Sequence, residues 1–151
     1  MAEFFEFEAD FVDSLRCIPM RVRYKLDICG IKLKLSHWHQ MTEDERMTLA
    51  ELPCTTETEI PVYQDYLQQL ILERTGNPAA KIPIEAYPLW MDCGNIPGSV
   101  QEKAQEMGMS LTSPQWASLT LLQRFALIKL SRPGHENKNF SQAMAEFNLV
   151  E

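Results

Sequence analysis

The sequence contains no GxxxxGK[ST] phosphate loop, no GxGxxG turn, no HExxH and no GxSxG. Those absences remove the short signatures of nucleotide binding, zinc proteolysis and serine hydrolysis. Histidine is scarce, at three residues, so general-base candidates are few. Four cysteines occur without a CxxC pair, which leaves no zinc-ribbon or thioredoxin-type signal. The longest apolar run, Leu121 to Leu130, is broken by Gln123, Arg124 and Lys129 and is too short to span a bilayer. Basic charge is also in deficit: 14 Lys and Arg against 21 Asp and Glu leave a net charge of −7. Phosphate backbones and anionic lipid surfaces would be repelled, so neither nucleic acid nor membrane is an expected partner. The start, MAEFFEFEADF, has no basic region followed by an apolar one. It does not read as a signal peptide, and the expected location is the cytoplasm.

What the chain does contain is enough apolar material for a core. It has 151 residues, 45% hydrophobic and 23% charged, in the ordinary range for a globular protein. Residues 18–52 also align without gaps on residues 96–130. Eleven of the 35 positions are identical, including Pro19/Pro97, Gly30/Gly108, Trp38/Trp116, Thr42/Thr120 and Arg46/Arg124. Ordinary residue usage would match about two. The alignment reads as an internal duplication. Two amphipathic hairpins sharing one structural solution is the alternative.

Each copy reads as helices. Pro19 and Pro97 suit a helix's first turn, Val22, Leu26 and Cys29 follow helical spacing, and Gly30 and Gly108 suit a left-handed cap. Thr42 with Glu45 predicts a capping box for a helix over 43–52, stopped by Pro53. A short turn is expected at 36–40. In the second copy Ser113 is expected to cap one unbroken helix from Pro114 to about Leu130, ended by Pro133–Gly134. A third helix is expected from Pro61 to Gly76, with Val62, Tyr66, Leu67, Leu70 and Ile71 as its stripe. FSQAMAEF, with Phe140, Met144 and Phe147 on one side, is its shorter counterpart. The Pro-rich stretch between the copies, carrying Ile82, Ile84, Tyr87, Leu89 and Trp90, reads as a packed connector in which KIPIEAY could be extended. Near the start, Phe5 and Phe7 suit an extended stretch, and Phe11, Val12 and Leu15 suit a helical turn. The expected fold is all-α, with two pseudo-symmetric repeats of about three helices in one domain spanning 1–151.

Candidate chemistry is sparse. His37 and His39 flank Trp38 just before a helix, where residues two apart diverge, so they read as exposed histidines beside a buried indole. Cys17, Cys29, Cys54 and Cys93 are separated by 11, 24 and 38 residues. That pattern matches no metal motif, and the thiols read as reduced, in or near the core. Cys17 could approach Cys54 if the hairpin closes. Four thiolates could in principle hold zinc or an iron–sulfur cluster, so these cysteines are the metal candidates by residue type. No cofactor is expected and no catalytic residue stands out. Arg16, Arg21, Arg23, Lys25, Lys32 and Lys34 concentrate positive charge in an acidic chain and are candidates for docking an acidic partner.

The running text FFEFEADFVDSLRCIPMRVRYKLDICGIKLKLSHW, with the later LPCTT and RFALIKLSRPGHENKNF, resembles the nitrate reductase-associated protein family of cyanobacteria. The resemblance covers nearly the whole chain and is strongest over residues 4–54. It implies an accessory factor with no catalytic chemistry of its own, needed for an active assimilatory molybdenum nitrate reductase. The implied partners are that reductase or its cofactor-insertion machinery, and the implied role is assembly or maturation through protein–protein contact. Two other functions remain open on the residues. One is an iron–sulfur or metal-carrying redox protein using the four cysteines. The other is a small-ligand-binding regulator of nitrate assimilation.

Overall fold

Prolines and glycines set many of the helix boundaries. In the computed structural model, which describes residues 4–9, 15–132 and 137–149, helix α1 spans Met20–Cys29. Pro19 is its N-cap, and Gly30 (φ 71°) closes it in the left-handed region, where glycine pays no Cβ penalty. Pro19 lacks a side chain that could cap. The Glu8 carboxylate does so instead, accepting from the Met20 N–H at 2.9 Å and complementing the helix dipole. Helix α2 is a short turn over Leu35–His39.

Helix α3 spans Glu43–Glu51 with the expected reciprocal box: the Thr42 hydroxyl accepts from the Glu45 N–H and the Glu45 carboxylate from the Thr42 N–H. Helix α4 spans Glu59–Thr75 and ends at Gly76, φ 83°. It buries Tyr63, Leu67, Leu70 and Ile71. The expected stripe is thus displaced at its start: Tyr63 faces inward, while Val62 is exposed.

The chain then enters the second group of elements. Tyr87, Leu89 and Met91 are exposed while Pro88 and Trp90 are buried, so the connector is packed on alternate residues only, and Ile84 too is exposed. Helix α5 spans Gly98–Glu106. The single helix expected from Pro114 to Leu130 is two, α6 at Ser113–Ser118 and α7 at Leu121–Leu130. The break is local. Leu119 is extended, and Thr120 opens a second capping box with Gln123. The cap of α6 is Thr112 rather than Ser113, again through a reciprocal box, with Gln115. Helix α8 spans Asn137–Glu146. Phe140, Met144 and Phe147 are buried as one face. Pro133 and Gly134 lie outside the described residues, as do Phe11 and Val12. Phe7 sits in a short 3-10 turn, Glu6–Glu8, where an extended stretch was expected.

Among the described residues the regular structure is all-helical, with eight α-helices and no strand. An isolated antiparallel bridge joins Ile31 and Lys81. The chain divides into two compact units, Glu8–Ile84 with Met1–Phe4 and Glu85–Glu151 with Phe5–Phe7. In the first, Val22, Trp38, Leu49, Tyr63, Leu67 and Ile71 are fully buried, and α1 packs on α3 and α4. In the second, α7 packs on α5, α8 and the turn Leu89–Met91. Trp90 meets Phe125 edge-on at 6.4 Å, and Phe5 and Phe7 stack on each other and against Phe147.

Candidate functional site

Helix α1 presents Val22, Lys25, Leu26 and Cys29 on its buried face, the i, i+3, i+4, i+7 spacing that aligns side chains along one stripe. A lysine on such a stripe must take its ammonium to an acceptor or lose its charge. Lys25 finds its acceptors on α3. Its Nζ donates to the Ala50 and Leu52 carbonyl oxygens, each at 2.7 Å. Helix α4 contributes the next donor, the Tyr63 hydroxyl, to the Leu49 carbonyl at 2.8 Å. The last carbonyls of a helix have no partner within it. Here side chains from two other helices close that end of α3, and Leu52, which precedes Pro53, is held extended.

Cys54 follows immediately. Its thiol lies 3.9 Å from the Lys25 carbonyl oxygen, and the Cys29 thiol lies 3.8 Å from the Leu26 carbonyl oxygen. The two sulfurs therefore sit by consecutive carbonyls of α1, close enough that each thiol shifts the other's titration. Both cysteines are 2% exposed. The thiol beside Cys54 is thus Cys29, while the sequence leaves open only an approach by Cys17. Cys17 is half-buried, Cys93 is exposed, and all four cysteines are free.

The electrostatics follow from burial and contact. Desolvation, with the nearby Arg21 charge, lowers Lys25 to about 8, so it is cationic at neutral pH. It also stands 5.7 Å from the Tyr63 ring centroid, a cation–π distance. Donation from Cys29, with the Lys25 charge assisting, pulls the Cys54 thiol below its ordinary value. The same bond and burial push Cys29 up. Burial holds the Tyr63 phenol protonated, well above its usual range. The arrangement is one thiol pushed up beside another pulled down, with the Lys25 charge contributing to the second shift. Among the described residues no three His, Cys, Asp or Glu side chains converge as a metal site would require.

The docking candidates separate. Arg16, Arg23, Lys32 and Lys34 are exposed and Arg21 is half-buried, but Lys25 is 8% exposed with its ammonium turned inward. Trp38 is fully buried, as expected for HWH. His37 Nδ1 accepts from the Lys34 N–H, and His39 Nε2 lies 3.0 Å from the Arg16 carbonyl oxygen. Sequence reasoning missed the exposed apolar run Tyr87, Leu89, Met91, with Tyr87 at 91%. Its alternation with Pro88 and Trp90 was the signal available.

The profile of the conserved nitrate reductase-associated protein family matches residues 4–147. The chain belongs to that family. Its membership covers nearly every element described above, so α1 to α4 with the Lys25–Cys54 cluster, and α5 to α8 with the exposed run, all lie within the family match. No curated protein and no solved structure matches the chain. No described helix is long and apolar enough to cross a membrane.

Proposed function

We propose that this protein is a non-catalytic accessory factor that binds assimilatory nitrate reductase, or the proteins that load its molybdenum cofactor, during assembly in the cytoplasm. The observation that carries the reading is the family match over residues 4–147. Surface chemistry supports it. Exposed apolar side chains at Tyr87, Leu89 and Met91 cost free energy in water and suit a surface that another protein covers. Arg16, Arg23, Lys32 and Lys34 add positive charge suited to steering an acidic partner. The scaffold is read as a duplication of residues 18–52 and 96–130. In support, Gly30 and Gly108 are both left-handed, Trp38 and Trp116 are both fully buried, and Thr42 and Thr120 open equivalent capping boxes.

The test is affinity capture of reductase from cells making the tagged protein. Capture of cofactor-free reductase or of a cofactor-loading protein is the expected result. Y87S/L89S should lose it while keeping a wild-type circular dichroism spectrum. Failure to capture either partner overturns the reading. Gene deletion then separates roles: lost activity with intact reductase protein marks maturation, and lost reductase protein marks expression or stability.

A further inference from the structure

Docking a partner through exposed side chains leaves the buried thiols of α1 and the loop after α3 without a role. Twenty-four residues separate Cys29 from Cys54 in the chain, yet the fold brings their sulfurs to the adjacent carbonyls of Leu26 and Lys25, both buried, where each thiol shifts the other. Backbone anchors hold both ends: the Leu52 carbonyl, two residues before Cys54, is bound by Lys25, and the Cys29 carbonyl accepts from Gln64 Nε2 at 2.6 Å.

We propose that Cys54 and Cys29 form a peroxide-reactive pair, in which Cys54 is the attacking thiol and Cys29 resolves the product as an intramolecular disulfide. The Cys54 thiolate attacks one oxygen of hydrogen peroxide. An S–O bond forms, the O–O bond breaks, and the departing hydroxide takes a proton to become water. The Cys29 sulfur then attacks the Cys54 sulfenic sulfur. The S–S bond forms, the S–O bond breaks, and the departing hydroxide carries off the Cys29 proton as a second water. Two thiols and one peroxide thus give one disulfide and two waters. Lys25 and the Cys29 hydrogen bond favour the attacking anion. Burial selects the oxidant: with both cysteines 2% exposed, a small neutral peroxide has access where the bulky, charged glutathione disulfide does not. The exposed Cys93 is open to both.

Reduced full-length protein is exposed to hydrogen peroxide, unfolded, alkylated and analysed by peptide mass spectrometry. The expected product is a linked peptide pair joining Cys29 to Cys54, lighter by two hydrogens and restored by a reducing agent. C29S should stop at a sulfenic acid on Cys54, trapped by a cyclic diketone, and C93S should leave the linkage unchanged. Glutathione disulfide should modify Cys93 and leave the buried pair free. The assignment is overturned if wild-type protein keeps Cys29 and Cys54 alkylatable while Cys93 or Cys17 oxidises. It is equally overturned if the pair forms faster with glutathione disulfide than with peroxide. The wild-type measurement decides the matter even if a serine variant fails to fold.

Discussion

The Lys25 ammonium donates to the Leu52 carbonyl at 2.7 Å, and with its second bond, to Ala50, it does the work that a C-terminal glycine usually does for a helix. Helix α3 has no such glycine. Pro53 ends it, and a side chain from α1 satisfies what Pro53 leaves open.

Lys25→Met removes that donor while keeping the aliphatic bulk. Two charged hydrogen bonds are lost, together about 3 kcal/mol or more, and relief of a buried charge offsets part of the loss. The expected net effect is destabilisation by about 1–2 kcal/mol at neutral pH, read as a lower urea midpoint with an unchanged slope.

The same residue gives stability a pH dependence. An unfolded lysine holds its proton to about 10.5 and folded Lys25 only to about 8. Below pH 8 the ammonium is charged in both states, and its burial opposes folding. Between the two values the unfolded chain binds more protons, so the contribution of Lys25 to stability rises with pH. The gap between wild type and Lys25→Met should widen from pH 8 to about 10.5 in paired denaturation curves. A constant gap would refute the assignment.

Gly30 and Gly108 share a left-handed backbone, at φ 71° and 72°, but not surroundings. A Cβ on Gly30 would come within 2.6 Å of Ile84 Cγ1 and 2.9 Å of the Ile82 carbonyl oxygen, whereas one on Gly108 would meet nothing within 4 Å. Gly108→Ala should cost about 1 kcal/mol from the backbone alone. Gly30→Ala adds a backbone clash and should cost at least about 2 kcal/mol. Thermal unfolding of the two variants checks the order.

Trp38 donates its indole N–H to the Leu15 carbonyl at 2.6 Å, and Arg46 Nη1 reaches the same oxygen at 3.2 Å. Leu15 itself has a positive φ of 54°, a conformation that needs outside restraint. Trp38→Phe loses the stronger bond and leaves a void, for about 2–4 kcal/mol. Denaturant titration measures the loss.

Local signals were legible and tertiary ones were not. Thr42 and Glu45 stand three residues apart, and a capping box requires only that spacing. Thr120 and Gln123 carry the same signal, but the helical periodicity running from Trp116 to Leu130 masks it, and the break at Leu119 is the cost of reading periodicity alone. Lys25 among Arg21 and Arg23 reads as surface charge, although its register with Val22, Leu26 and Cys29 places it inward. The Cys29–Cys54 contact is set by how α1 and the loop after α3 pack, and no interval in the sequence encodes it. Glu8 closing α1 from twelve residues away is likewise invisible to motif spacing.

The connector after α4 has one further consequence for how the first unit opens. Gln68 grips Ala79 by both its N–H and its carbonyl, Ile82 donates to the Gly30 carbonyl, and Lys32 donates to that of Ala80. Solvent deuterium therefore reaches the amides of Ala79 and Ile82 only when α4 and the end of α1 let go. A stretch without a helix of its own keeps time with the core.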